Sequence, residues 1–267
     1  MVMLKTIVIK QTIRENILQP AFLLTLIIQI AVIGILAFGV GLHYENGLLV
    51  SFDWFGGKIE EQVHSFAETF ASANYELVSS SLMFLFIIGC SFLYPELLRS
   101  PLLIVTLARP VSRASLFLSK FAGFSLLVFS AVIIFSLIVS AIFYEKSDGN
   151  IGGSLLLGSV SFCFEFITIF AICSLVGLLI ENSMGTAVIA VALYFFLGPL
   201  VADAGEIQNP LLKVSLILLP PVGQLSRATQ ELVLSYRLNP DIYLLSLLYI
   251  AVILGVSTTL FHRRDIG

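Results

Sequence analysis

The sequence predicts an all-α integral membrane protein: six transmembrane helices, an N-terminal interfacial helix, a short cytoplasmic helix after the second span, and outer amphipathic helices. Three observations carry this prediction. Hydrophobic residues make up 58% of the 267, only 12% are charged, and the mean hydropathy is +1.03. That is far from the composition of soluble domains, which need a charged exterior. The apolar residues fall in six blocks, each near the roughly 20 residues needed to cross the hydrocarbon of a bilayer. The blocks are continuous, whereas the strands of a membrane β-barrel would alternate. The chain reads as a single transmembrane domain over residues 1–267.

The first element precedes the first block. In the run Leu4 to Arg14, Leu4, Ile7, Val8 and Ile13 can share one helical face, while Lys5, Gln11 and Arg14 stay in water. A helix lying in the membrane interface satisfies both sets. Pro20 then marks the turn into the membrane, since proline is tolerated in a helix's first turn. The spans are expected at about 20–42, 77–98, 121–143, 154–180, 184–202 and 240–261. A cleaved leader is not expected, because the first block is long and no small-residue cleavage site follows it.

Between the first two spans, Gly56-Gly57 precedes a stretch in which Ile59, Val63, Phe66, Ala67 and Phe70 recur at helical spacing. This predicts an amphipathic helix over the outer mouth. Residues 205–239 have a similar character, with Pro220-Pro221 between two apolar stretches. The part from Gln224 to Leu238 reads as a short re-entrant or interfacial helix rather than a seventh span. Small residues at four-residue spacing (Ser154 with Gly158, Ser159 with Cys163, Ala251 with Gly255) favour close helix packing.

Lys and Arg set the orientation. With a cytoplasmic N-terminus, nine of the fourteen lie inside: Lys5, Lys10, Arg14, Arg99, Arg109, Arg113, Lys120, Arg263 and Arg264. The other five, Lys58, Lys146, Lys213, Arg227 and Arg237, lie outside. The positive-inside rule therefore predicts an inner (cytoplasmic) membrane protein with both termini in the cytoplasm.

The chemistry-bearing residues are few. Cys90, Cys163 and Cys173 fall within spans and read as packing residues; no outer cysteine suggests a disulfide. His43, His64 and His262 lie in three separate segments, so no metal site is expected. Glu165 is the one ionisable residue deep in a span. It reads either as a polar group in a translocation path or as a structural carboxyl bonded to a neighbouring helix. Tyr194 and Phe195, before Gly198-Pro199, read as packing at a helix end. No P-loop is present, since Gly57-Lys58 lacks the earlier glycine, and there is no zincin or nucleophile-elbow motif. Basic residues do not interleave with aromatics on a soluble surface, so no nucleic acid partner is expected. The expected partners are the lipid bilayer and whatever grips the segment Pro95–Gly123, which is too charged for lipid and too apolar for a solvated loop. Within it, Pro110 breaks a helix and pushes Arg109 toward extended backbone, and Ser112 can cap a new helix running into the third span.

Three features resemble the membrane subunit of ABC-2-type ABC transporters, over nearly the whole chain. One is Glu96, Arg99 and the run Ala108-Arg109-Pro110-Val111-Ser112-Arg113, followed by Lys120 and Gly123. The second is the ending Phe261-His262-Arg263-Arg264-Asp265-Ile266. The third is six spans with an N-terminal interfacial helix and an outer helical segment before the last span. Ser119 before Lys120, and Pro101 after Arg99, depart from the family pattern. The resemblance implies a permease without catalytic residues or cofactor of its own. ATP-Mg would be bound by a separate cytoplasmic ATPase that docks on Glu96, Arg99, Arg109, Pro110, Ser112 and Arg113, with a short helix at about 101–109 as the coupling element. It further implies a homodimer or pseudo-symmetric permease pair that exports a substrate. The alternatives are a secondary transporter or channel, which would need broken spans and several buried polar groups, and an intramembrane enzyme, for which the spans offer one carboxylate and no histidine.

Overall fold

The structure, a computed structural model, describes residues 2–45, 48–59, 66–99, 112–147, 153–202, 219–235 and 238–263. Helix α1 (Val2–Ile17) leads into α2 (Pro20–Phe38), with Pro20 in the first turn as expected. After the small sheet described below come two long helices, α3 (Phe66–Arg99) and α4 (Arg113–Lys146). Then follow α5 (Gly153–Ile180), α6 (Ser183–Ala192), a π-helical turn over Leu193–Leu197, α7 (Gly198–Ala202), α8 (Val222–Ser235) and α9 (Pro240–Arg263).

Among the described residues, six helices are long and apolar enough to cross a membrane: Pro20–Gly39, Val78–Arg99, Arg113–Lys146, Leu155–Ile180, Ser183–Ala202 and Pro240–Arg263. They coincide with the six blocks of the sequence. The third is longer than its apolar block because Ser112 caps it: its side chain accepts from Ser115 N, and its backbone is extended at φ −66° and ψ 144°. The helix therefore begins in the polar run before the block. At 1.5 Å per residue, α3 and α4 are each about 50 Å long, well over the roughly 30 Å of hydrocarbon.

The spans pass alternately between two ends of the bundle. One end gathers Arg99, Arg113, His262 and the α5–α6 junction, and is called the basic end. The other carries a three-stranded antiparallel sheet, β1 (Val40–Glu45), β2 (Leu48–Trp54) and β3 (Gly57–Ile59), in the order β1-β2-β3. This sheet amends the sequence-based expectation of a longer first span followed by a helix. Residues 40–42 lie in a strand, and Ile59 pairs with Phe52 rather than opening a helix. Period-two alternation is the cause, with Val40 and Leu42 buried and His43 exposed. Phe55 and Gly56 supply the two positive φ angles, 49° and 84°, that a two-residue hairpin of the right twist requires. Helix resumes by Phe66, so Phe66, Ala67 and Phe70 are helical as expected, in one helix continuous with the second span. Val63 lies outside the described residues. His43 Nε2 and Asp53 Oδ2 pair across β1 and β2 at 2.9 Å.

Helix α5 is the hub, packed against α3, α4, α6, α8 and α9. Toward the basic end aromatics stack where α3, α4 and α5 meet: Phe170 of α5 lies on Phe121 of α4 with centroids 4.4 Å apart, and Tyr94 of α3 lies on Phe117 of α4 at 4.6 Å. Such pairs fill volume and add directional contact. Pro95 does not end α3; its ring faces Gly177 on α5, where a Cβ would stand 3.2 Å from Pro95 Cδ. The small pair Ala251 and Gly255 lies on the exposed side of α9, while Gly158, Ser159 and Cys163 are buried.

Helix α1 packs along α4 and meets it with a stripe different from the apolar one. Val8, Thr12 and Asn16 are buried, whereas Ile7 is half exposed. Thr12 donates to Val8 O at 2.9 Å and Asn16 Nδ2 to Thr12 O at 2.7 Å, bonds made within their own helix, while Asn16 Oδ1 is buried without a partner. Gly123 allows the approach, and Lys120 donates to Glu15 Oε2 at 2.6 Å.

Candidate functional site

Two regions hold the residues singled out in the sequence. At the basic end, Arg99 closes α3 and its Nη2 donates to Glu181 O at 2.7 Å. Glu181 has a φ of 56°, a left-handed backbone at the turn between α5 and α6. Asn182 then caps α6, accepting from Met184 N at 3.0 Å. Arg113, at the first turn of α4, donates through Nη1 to His262 O at 3.3 Å, at the end of α9. A guanidinium on the terminal carbonyls of a helix complements its partial negative charge. The flanks of the 100–111 segment are thus tied to two other spans, α3 to the α5–α6 turn and α4 to α9. Glu96 is exposed. Arg109, Pro110 and the expected helix at about 101–109 lie outside the described residues, as do Arg264 and Asp265.

The second region surrounds Glu165, in the middle of α5. Only 2% of this residue is exposed, and Oε1 has no hydrogen-bond partner in the protein. The hydroxyls of Tyr194 and Ser226 face its carboxyl group. Each is placed there by an irregularity in the fold. Tyr194 sits on the π-helical turn Leu193–Leu197, where Gly198 N reaches Leu193 O five residues back. Pro199 explains the turn: lacking an N–H, it cannot serve the carbonyl four residues earlier, and the helix relaxes to the wider register. The helix continues past Gly198-Pro199 through α7 to Ala202, the end expected for this span.

Ser226 sits on α8, the helix expected between Gln224 and Leu238. Val222 and Gly223 begin it against Gly198, and the two glycines put backbone directly on backbone. Higher up, Thr229 Oγ1 meets Ser161 Oγ at 2.6 Å, and Ser161 also meets Tyr243 OH on α9 at 2.7 Å. Because 226 faces 165 and 229 faces 161, α8 runs antiparallel to α5, from the depth of Glu165 toward the sheet end. It folds back along the sheet-end half of α5.

Between these elements lies a cavity of about 310 Å³. Its walls include Ser80 from α3, Glu165, Tyr194, Ser226, Gln230 and Arg227. Arg227 is exposed, and its Nη1 donates to Ala202 O at 3.3 Å. A buried carboxyl with one unsatisfied oxygen, in a cavity that a guanidinium also lines, can hold a hydrogen-bond donor or order water. Among the described residues, no three His, Cys, Asp or Glu side chains gather as a metal site.

Sequence reasoning singled out Glu165 but missed Tyr194, Ser226 and Arg227. Pro199 was the available signal for Tyr194; the other two depend on how α8 folds back, which local pattern does not encode.

The fold and these two regions define a multi-pass helical membrane protein with six bilayer-length spans. Beyond that class the comparisons are silent: no protein family matches the chain, and no curated protein matches it.

Proposed function

We propose that this chain is the permease subunit of an ABC transporter of the ABC-2 type, coupling ATP hydrolysis by a separate cytoplasmic ATPase to export or to transmembrane conformational work. The observation that carries this reading is the construction around residues 100–111. This segment joins two helices that each outrun the bilayer, and the residues at its flanks, Arg99 and Arg113, are bonded to other spans. A partner moving the segment would therefore move α3 and α4 with it, as rigid elements. Helix α1, packed on α4, and the folded-back α8 before the last span further support the resemblance. Two copies of the chain, or a pair of related permeases, would work with two ATPases holding ATP-Mg.

The test is co-purification with the ATPase encoded nearest to this chain, and its ATPase rate in the complex. Arg109→Glu is expected to abolish stimulation of that rate by the permease. Arg113→Glu is a poorer probe, because Arg113 also holds α9. An Arg109→Glu complex with unchanged assembly and unchanged stimulation would remove the docking role.

The Glu165 cavity favours a second reading, a secondary transporter or channel working without ATP. The π-turn in the fifth span, the folded-back α8 and the unsatisfied carboxyl oxygen are the kind of parts such proteins use. Solute uptake by liposomes holding this chain alone would favour it over the first.

A further inference from the structure

We propose that the Glu165 cavity binds a zwitterionic headgroup that carries a primary ammonium, with the ammonium at Glu165 and the anionic group at Arg227. Three observations converge on this. Glu165 Oε1 is buried and has no partner, so the site lacks a donor at a defined point. The cavity measures about 310 Å³, whereas a water occupies about 30 Å³, so there is room for a headgroup and not merely an ion. The deep wall carries a carboxyl, and the exposed rim carries a guanidinium on α8.

The chemistry follows from the donor inventory. A primary ammonium brings three N–H donors, one for Glu165 Oε1 and others for the polar side chains that line the same cavity, Ser80 and Gln230 among them. A trimethylated ammonium has the same charge and no N–H donor, and its bulk keeps it from the carboxyl oxygen. The guanidinium is suited to phosphate or carboxylate. The cavity therefore discriminates ethanolamine from choline headgroups. Its ligand can come from the bilayer or from solution, since both sources present the same ammonium and anion.

This inference goes beyond the proposed function, and its test needs no ATPase, so either can fail alone. The purified chain is placed in phosphatidylcholine nanodiscs, and its thermal midpoint is followed while phosphatidylethanolamine replaces part of the lipid. A parallel series adds soluble O-phosphoethanolamine to pure phosphatidylcholine discs. For the native chain a saturable rise in midpoint is expected in one series, which identifies the source. Glu165→Gln, of the same shape, is expected to weaken the apparent affinity by about tenfold or more, as losing a charge-assisted hydrogen bond does. Arg227→Gln, at the exposed rim, is expected to weaken it several-fold, and it carries the test should Glu165→Gln fail to fold. An absence of saturable response in both series, leaving water as the occupant, would overturn the proposal. So would variants that respond as the native chain does, which marks a bulk property of the bilayer.

Discussion

Placing a single methyl group at Gly123 tests the seat of α1 on α4. A Cβ there would stand 2.9 Å from Thr12 Cβ and 3.2 Å from both Ile9 O and Thr12 Cγ2. Ordinary carbon contacts begin near 3.5 Å, so α1 must withdraw by about half an ångström. Overpacking of this kind costs about 1–3 kcal/mol. Against it runs the helix-propensity gain of alanine over glycine, about 1 kcal/mol in a helix interior. The balance for Gly123→Ala is a net loss of about 1 kcal/mol. Gly255 on α9 is the matched control, for nothing lies within 4 Å of a Cβ placed there. Gly255→Ala receives the propensity term without the clash, and its net effect is a gain of up to about 1 kcal/mol. The two variants should move the thermal midpoint in opposite directions in the same detergent. A Gly123→Ala chain as stable as Gly255→Ala would refute the close packing of α1 on α4.

Two further expectations concern α8 and α1. Gly223→Ala drives a Cβ into the backbone carbonyl of Gly198, where no side-chain movement gives relief. The start of α8 must lift away, at a cost of about 3 kcal/mol. In a Ser161→Cys/Thr229→Cys background, disulfide yield should fall sharply when Gly223→Ala is added; an unchanged yield would place α8 elsewhere. Lys120 is mostly buried and paired with Glu15, so Lys120→Glu opposes like charges and should loosen α1, read as faster proteolysis between α1 and α2. Adding Glu15→Lys should restore protection, and failure of that rescue would mean that the pair does not hold α1.

Much of the fold was legible because long apolar runs have one solution in lipid. The backbone must satisfy itself, so each block from Pro20 onward becomes a helix. The Ser112 cap was equally readable, since a hydroxyl after a proline break is a local signal. The sheet after Gly39 was harder to see. Its strands are short and mildly apolar, and the helical spacing of Phe66, Ala67 and Phe70 masked the alternation of residues 40–54. The site was legible in its centre alone. Glu165 announces itself as a carboxyl among phenylalanines, whereas its neighbours Tyr194 and Ser226 lie 29 and 61 positions further on, through a π-turn and a reversal of the chain. Basic residues at Arg99 and Arg113 read as surface charge in sequence, yet each bonds to a carbonyl of a distant helix end.

The two ways of crossing the bundle have unequal mechanics. Helix α4 runs unbroken for 34 residues, without proline. At the sheet end its Lys146 holds the carbonyls of Ala37 and Val40, where α2 passes into β1. It is therefore built as a strut: a push delivered beside Ser112 would be carried along an unbroken helix to the sheet. The fifth span, interrupted at Leu193–Leu197, would yield first under the same load. Relative movement between the strut and the yielding span would be taken up at the cavity walls, where Tyr194 and Ser226 meet Glu165.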